Sequence, residues 1–324
     1  MSSFFAIENL SVTYGKRNRK TYAVQDVSFS LEQGKSIGIV GESGCGKTTV
    51  ALAAMGLLDP RTQVTGTMHI GEEKYDLSEM TYKRWRSIRG NDIAMVFQDS
   101  LASLNPLKKI GEQIAEAIYV KRSMSKRDAR IRAIDLLDIV EIPDPERRAG
   151  QYPHECSGGM RQRAMIAMAL ANNPKVLICD EPTTALDVTV QAQVLATIKK
   201  LQEELEMSVI LVTHDLGVIN SVTDNVLVMY ASKIVESGET SKLMEEPHHP
   251  YTSALLKAMP DLAVKNSLHA IPGVPPTLNK IFDYCPFAPR CENVTDECKQ
   301  SMPDLELENK RALACFNPMI KVEA

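Results

Sequence analysis

No apolar stretch in the 324 residues approaches the roughly 18 needed for a membrane-spanning helix. "RQRAMIAMALANNP" is the nearest candidate and is far too short. The opening "MSSFFAIENLSV" has no basic segment followed by a long apolar run, so no signal peptide is expected. Excess positive charge is also missing: the net charge is −4, which disfavours a general polyanion-binding surface. Two basic clusters exist, "KRNRK" at Lys16 to Lys20 and "KRSMSKRDARIR" at Lys121 to Arg132. They read as a solvated turn and a solvated helix face rather than as nucleic-acid contacts. No internal repeat of fixed period is visible. The seven cysteines are odd in number, which, with no signal peptide, argues against a secreted disulfide framework.

What is present is ordinary for a globular protein: 44% hydrophobic and 24% charged residues, in a chain long enough for about two domains and a large core. "FFAIENLSVTY" and "VQDVSFSLEQG" read as strands ending in polar turns. "SIGIVGESGCGKTTVALAAMGLL" passes from a buried strand through a glycine loop into an apolar helix, and "NDIAMVFQ" is a further buried strand. From Asp99 to about Ala171 the pattern is helical. Ile110, Ile114 and Ile118 repeat at four-residue spacing, and Ile131, Ile134 and Val140 are expected near one face of a second helix. Ser125 and Asp128 form a candidate capping box for that helix. "KVLICDEPTT" and "SVILVTHD" return to buried strands, with a helix in between. Strands alternating with helices imply an α/β fold with a parallel sheet. The expected domains are 1–240, with a helical insertion over about 99–171, and a proline-rich, polar extension over 241–324.

"GESGCGKT", Gly41 to Thr48, has the phosphate-loop pattern in the context it requires, after a strand and opening a helix. Glycines let backbone N–H groups turn toward phosphates, and the helix points its positive end at them. Lys47 supplies a cation for the β- and γ-phosphates, and the Thr48 hydroxyl is placed to ligate Mg²⁺. "KVLICDEP" ends a buried strand in two carboxylates, at the end of the sheet where ligands sit. Asp180 can hold the Mg²⁺ shell, and Glu181 can orient an attacking water as general base. Ser157, Gly158 and Gly159 open another helix and form a second anion site. One nucleotide does not need two such loops in one chain, so the second serves a nucleotide held mainly by a partner.

With "YPHECSGGMRQR" the chain resembles the ATP-binding cassette (ABC) ATPases over roughly Met1 to Gly238. The resemblance implies a P-loop α/β domain with helical and antiparallel β subdomains. ATP would be held by Gly41, Ser43, Gly44, Cys45, Gly46, Lys47, Thr48 and Thr49. It also implies roles for Gln98 as the Q-loop glutamine at the Mg²⁺, Asp187 as the D-loop aspartate and His214 as the switch histidine. Tyr14 corresponds to the aromatic that stacks on adenine, with Tyr22 as competitor because "KRNRKTY" lengthens the segment. Cys156 and Met160 depart from the usual Leu and Gln, and Cys156 reads as a buried small hydrophobe. "FQDSLASLNPL", "DEPTTALDVTVQAQ", "EEPHHPYTSALL" and "IPGVPP" narrow the resemblance to the ATP-binding subunits of bacterial dipeptide and oligopeptide importers, and nickel importers share much of it. This implies a second ATPase subunit in a heterodimer, two membrane permease subunits, an extracytoplasmic peptide-binding protein and a peripheral place on the cytoplasmic face of the membrane. Rival readings are a soluble ABC ATPase acting on nucleic acid or ribosomes, and an iron–sulfur electron carrier.

Cys285, Cys291, Cys298 and Cys315 crowd the extension, separated by five, six and sixteen residues. Four thiolates suit zinc or a four-iron cluster, but the spacing matches neither the usual zinc pairs nor a ferredoxin string. The resemblance to peptide-importer subunits implies a [4Fe–4S] cluster on these four cysteines, with zinc as the alternative.

Overall fold

The computed structural model describes residues 3–15, 19–121, 124–184, 186–259 and 270–319. Lys16 to Asn18 and Arg122 to Ser123, parts of the two basic clusters, fall outside them. The strands are β1 (Phe5–Tyr14), β2 (Thr21–Leu31), β3 (Ser36–Val40), β4 (Gln63–Ile70), β5 (Glu73–Asp76), β6 (Ile93–Val96), β7 (Val176–Asp180), β8 (Ser208–Val212), β9 (Asn225–Tyr230), β10 (Lys233–Glu239), β11 (Glu306–Glu308) and β12 (Arg311–Leu313). The helices are α1 (Lys47–Ala54), α2 (Tyr82–Ile88), α3 (Ser100–Ser103), α4 (Ile110–Lys121), α5 (Lys126–Ile139), α6 (Pro145–Ala149), α7 (Gly158–Ala169), α8 (Val188–Glu204), α9 (Leu216–Val222), α10 (Thr240–Glu245), α11 (Pro250–Lys257) and α12 (Asp296–Gln300). None of the described helices is long and apolar enough to cross a membrane. The described residues divide into two compact units, one within Glu32–Lys35 and Met80–Leu211, the other within Ser3–Leu31, Ser36–Glu79 and Val212–Met319.

The first unit holds β6, β7 and β8 in the spatial order β8–β7–β6. β6 and β7 are parallel, with Ile93 opposite Val176, and every residue of β7 is buried. That explains the unbroken apolar run "VLIC", since a parallel strand covered on both faces has no polar side. The helical insertion follows as α3 to α7. Ile110, Ile114 and Ile118 are all buried along α4. Ser125 caps α5: its hydroxyl oxygen accepts from the Asp128 N–H at 3.1 Å and its O–H donates to the Asp128 carboxylate at 2.7 Å. The expected face of α5 is displaced. Ala129, Ala133, Leu136, Leu137 and Val140 are buried, while Ile131 is 53% exposed. The buried set keeps the i, i+4, i+7, i+8 spacing of one stripe, and Ile131, two positions along, points away from it.

The second unit contains an antiparallel sheet in the order β2–β1–β4–β5, with Phe5 opposite both Leu31 and Ile70. It also holds strands in the order β11–β12–β10–β9–β3. β3 and β9 run parallel, with Ile39 opposite Leu227, and β10 turns back antiparallel. The extension adds β12 to β10, pairing Leu313 with Glu236. Tyr251 of α11 and Phe287 are fully buried against Tyr230 of β9, with ring centroids 4.5 to 5.3 Å apart. A segment that reads as polar thus brings its own aromatic core to the unit that holds the phosphate loop.

Candidate active site

In the second unit the loop after β3 leads directly into α1. Gly46 caps that helix at φ 111°, and a Cβ there would lie 2.2 Å from the Ala23 carbonyl oxygen. Only glycine meets both demands. Ser43, Gly44 and Thr48 are exposed, and Cys45 is buried with its thiol raised in pKa by desolvation. Lys47 is buried, and its ammonium donates to the carbonyl oxygens of Gly41 at 2.7 Å and Glu42 at 3.0 Å. The loop therefore orders a buried cation on its own backbone, which fits a triphosphate. The Tyr14 hydroxyl lies 3.3 Å from that of Thr49, at the start of α1. The Thr213 N–H donates to the Ile39 carbonyl, so the segment carrying exposed His214 runs beside β3.

In the first unit Asp180 ends β7 and is 4% exposed. Glu181 follows at φ 45°, a left-handed conformation uncommon for a side-chain-bearing residue and enriched at functional positions. Its carboxylate accepts from the Gln98 amide at 3.0 Å and from the Thr184 hydroxyl at 2.9 Å, both on the same oxygen. Two expected site residues, 83 positions apart, therefore meet. Ser157 caps α7 by accepting from the Met160 N–H at 3.3 Å. Behind it, a Cβ on Gly159 would lie 2.5 Å from a Val190 methyl of α8. Asp187 caps α8, accepting from the Val190 N–H at 2.9 Å. Cys156 is 5% exposed and its thiol pKa is raised by burial, as a small hydrophobe's place implies.

The iron–sulfur expectation is overturned. Cys285, Cys291, Cys298 and Cys315 do line one cavity, together with His249. No group of three or more His, Cys, Asp or Glu among the described residues is arranged to hold a metal ion, which leaves zinc equally unsupported. The four cysteines are free, and burial pushes the Cys291 thiol up to about 11 and that of Cys315 to about 12. The Cys298 sulfur lies 3.2 Å from the Thr295 hydroxyl.

A phosphate loop ordered around a buried lysine, following a buried strand and opening a helix, defines a P-loop nucleoside triphosphatase. Residues 24–184 match the ABC transporter family, and residues 235–298 match the oligopeptide/dipeptide transporter C-terminal region. The chain belongs to the ABC transporter family and carries its ATP-binding domain, which implies ATP and Mg²⁺. It is 46% identical to a peptide import ATP-binding protein of Brucella abortus (strain 2308), over 95% of this chain and 93% of that one. It is 45% identical to the dipeptide transport ATP-binding protein DppD of Bacillus subtilis (strain 168), over 94% and 91%. Among solved structures, a dimeric ATP-binding cassette in a post-hydrolysis state with ADP and Pi matches at TM-score 0.65 and 29% identity, covering 73% of this chain and 98% of that one. CbiO1 from Clostridium perfringens, part of the CbiONQ transporter complex, matches at TM-score 0.64 and 26% identity, covering 76% and 92%.

Sequence reasoning passes over Glu42, Tyr251 and Arg290. The Arg290 guanidinium pairs with the Glu42 carboxylate across 248 positions, and no spacing rule connects residues so far apart.

Proposed function

We propose that this chain is the ATP-hydrolysing subunit of an importer for di- or oligopeptides. The observation that carries this reading is the oligopeptide/dipeptide transporter C-terminal region at residues 235–298, joined to an ATP-binding domain in one chain. The 1–240 portion would be the ATPase domain and 241–324 the importer-specific extension. The phosphate loop Gly41 to Thr48, with Thr49, binds ATP, and Lys47 offsets phosphate charge. Tyr14, whose hydroxyl lies by Thr49, is favoured over Tyr22 for the adenine. Thr48, Gln98 and Asp180 would hold Mg²⁺, whose chemistry is to neutralise charge on the phosphate oxygens. Glu181 orients the attacking water, and His214 acts as the switch residue. Ser157, Gly158, Gly159 and Asp187 serve a nucleotide held by a second ATPase subunit. With no described helix able to span a membrane, passage of substrate falls to two permease subunits, supplied by an extracytoplasmic binding protein. The chain then sits on the cytoplasmic face of the membrane.

Uptake of labelled di- and oligopeptides, and of nickel, by cells with and without the chain tests the reading. Peptide uptake should depend on the wild-type chain. Glu181→Gln should not restore it, its turnover falling about 10²- to 10⁴-fold with MgATP affinity kept. Loss of nickel uptake alone would reassign the substrate. Full turnover by Glu181→Gln would remove Glu181 from its role.

A further inference from the structure

Glu42 stands inside the phosphate loop, yet none of the chemistry read from that loop uses it. Each of its polar groups is nonetheless occupied. Its backbone carbonyl accepts from Lys47 at 3.0 Å. Its backbone N–H donates to the Tyr251 hydroxyl at 2.9 Å, a residue 209 positions away. Its two carboxylate oxygens accept separately from the two terminal nitrogens of Arg290, at 2.9 and 2.6 Å. That fork-to-fork pair fixes direction as well as distance.

Both distant partners are themselves held. The Arg290 side chain is 5% exposed; its Nε donates to the Pro272 carbonyl at 2.8 Å and one terminal nitrogen donates to the Tyr230 hydroxyl at 3.2 Å. Its guanidinium lies 5.8 Å from the Tyr230 ring centre and 6.0 Å from that of Phe287, within cation–π range. Tyr251 is fully buried in the same aromatic cluster. Its backbone N–H donates to Nδ1 of His249, which caps α11. The N–H groups of His248 and His249 donate to the buried carboxylate of Glu236 on β10. The "HHPY" stretch and the turn ending in Arg290 therefore form one rigid bracket, and what the bracket holds is Glu42.

Two physical consequences meet at the loop. The Tyr251 bond fixes the backbone of Glu42, and with it the carbonyl that steadies Lys47. Arg290 cancels a carboxylate that would otherwise face the negative charge of a bound nucleoside triphosphate from a part-buried position, where screening by solvent is weak. The structure assigns Arg290 and Tyr251 as positioning residues of the phosphate loop: through Glu42, the extension sets both the shape and the charge of the nucleotide site. This rests on the reading that Gly41 to Thr48 holds ATP.

The test is the affinity of the purified full chain for MgATP, MgADP and adenosine, with thermal unfolding as a folding control. Arg290→Gln should weaken MgATP about ten-fold, the scale of one charge left unpaired, with a smaller loss for MgADP and none for adenosine. Adding Glu42→Gln to Arg290→Gln should restore MgATP to within about three-fold of wild type, because the repelling charge is gone. A merely structural role predicts neither the grading with phosphate number nor the rescue. Tyr251→Phe should weaken all phosphate-bearing ligands alike, since it loosens the backbone without changing charge. Unchanged MgATP affinity in Arg290→Gln, or a double variant no better than the single one, overturns the assignment. Should Arg290→Gln fail to fold, Glu42→Gln alone decides: MgATP binding as tight as wild type or tighter supports it, and a ten-fold loss overturns it. A folded wild-type chain that binds no MgATP sinks the nucleotide reading itself, whatever the variants do.

Discussion

His249 shows how one side chain can make the stability of this protein depend on pH. It is 1% exposed, and desolvation lowers its pKa from 6.5 to about 3. Geometry demands the same neutral ring, because Nδ1 accepts the Tyr251 N–H at 3.0 Å and an accepting nitrogen cannot carry a proton. The unfolded chain takes up that proton near pH 6.5, while the folded chain refuses it until about 3. Stability from this residue is therefore complete above pH 6.5 and is lost as pH falls, by about 1.4 kcal/mol per pH unit, down to the folded value. Denaturant titrations between pH 7 and 4 should show that slope. His249→Asn keeps a capping acceptor without a titrating ring, and should flatten it. An equal slope in both proteins would place the acid sensitivity elsewhere.

At the scale of elements, α7 and α8 are matched by what Gly159 lacks. A Cβ there would come within 2.5 Å of Val190, a β-branched side chain with little freedom to move aside. Gly159→Ala should cost about 1–3 kcal/mol by overpacking, and Val190→Ala in the same chain should recover most of it. Calorimetry of the three variants decides this, and a double variant no more stable than Gly159→Ala would mean that Gly159 matters for another reason. The same elements show what can be read from sequence. β3, β7 and α1 are legible because apolar runs, the glycine loop and the terminal carboxylates all lie within a few residues. The N-caps Ser125, Ser157 and Asp187 act within three residues, so their effect is local. The buried face of α5 is harder, because Ile131 is apolar yet exposed, and only packing partners choose between competing stripes. The four cysteines mislead for the opposite reason: proximity in sequence does bring them to one cavity, but spacing says nothing of whether their sulfurs converge as metal ligands, and among the described residues they do not. The bracket from Tyr251 and Arg290 to Glu42 is beyond sequence reasoning altogether, since it depends on where two segments more than 200 residues apart end up.

For the whole molecule, the number of phosphate-facing helix starts is the informative quantity. Among the described residues the proposed function gives this role to two, α1 behind Gly46 and α7 behind Ser157, in different compact units. If the second serves a nucleotide held by another subunit, hydrolysis must depend on assembly. Specific ATP turnover of the purified chain should then be low when dilute and rise with protein concentration, and rise further with a partner ATPase and the permeases. Ser157→Glu sharpens the test, because it puts a negative charge at the exposed start of α7. MgATP affinity of the dilute chain should not change, since its own phosphate loop is untouched. Turnover in the assembled state should fall about 10²-fold, because the new carboxylate repels the partner's nucleotide where a favourable donor stood. Weaker MgATP binding by the dilute variant would mean that Ser157 acts on the chain's own nucleotide. Full, concentration-independent turnover by a strict monomer would remove the shared site entirely.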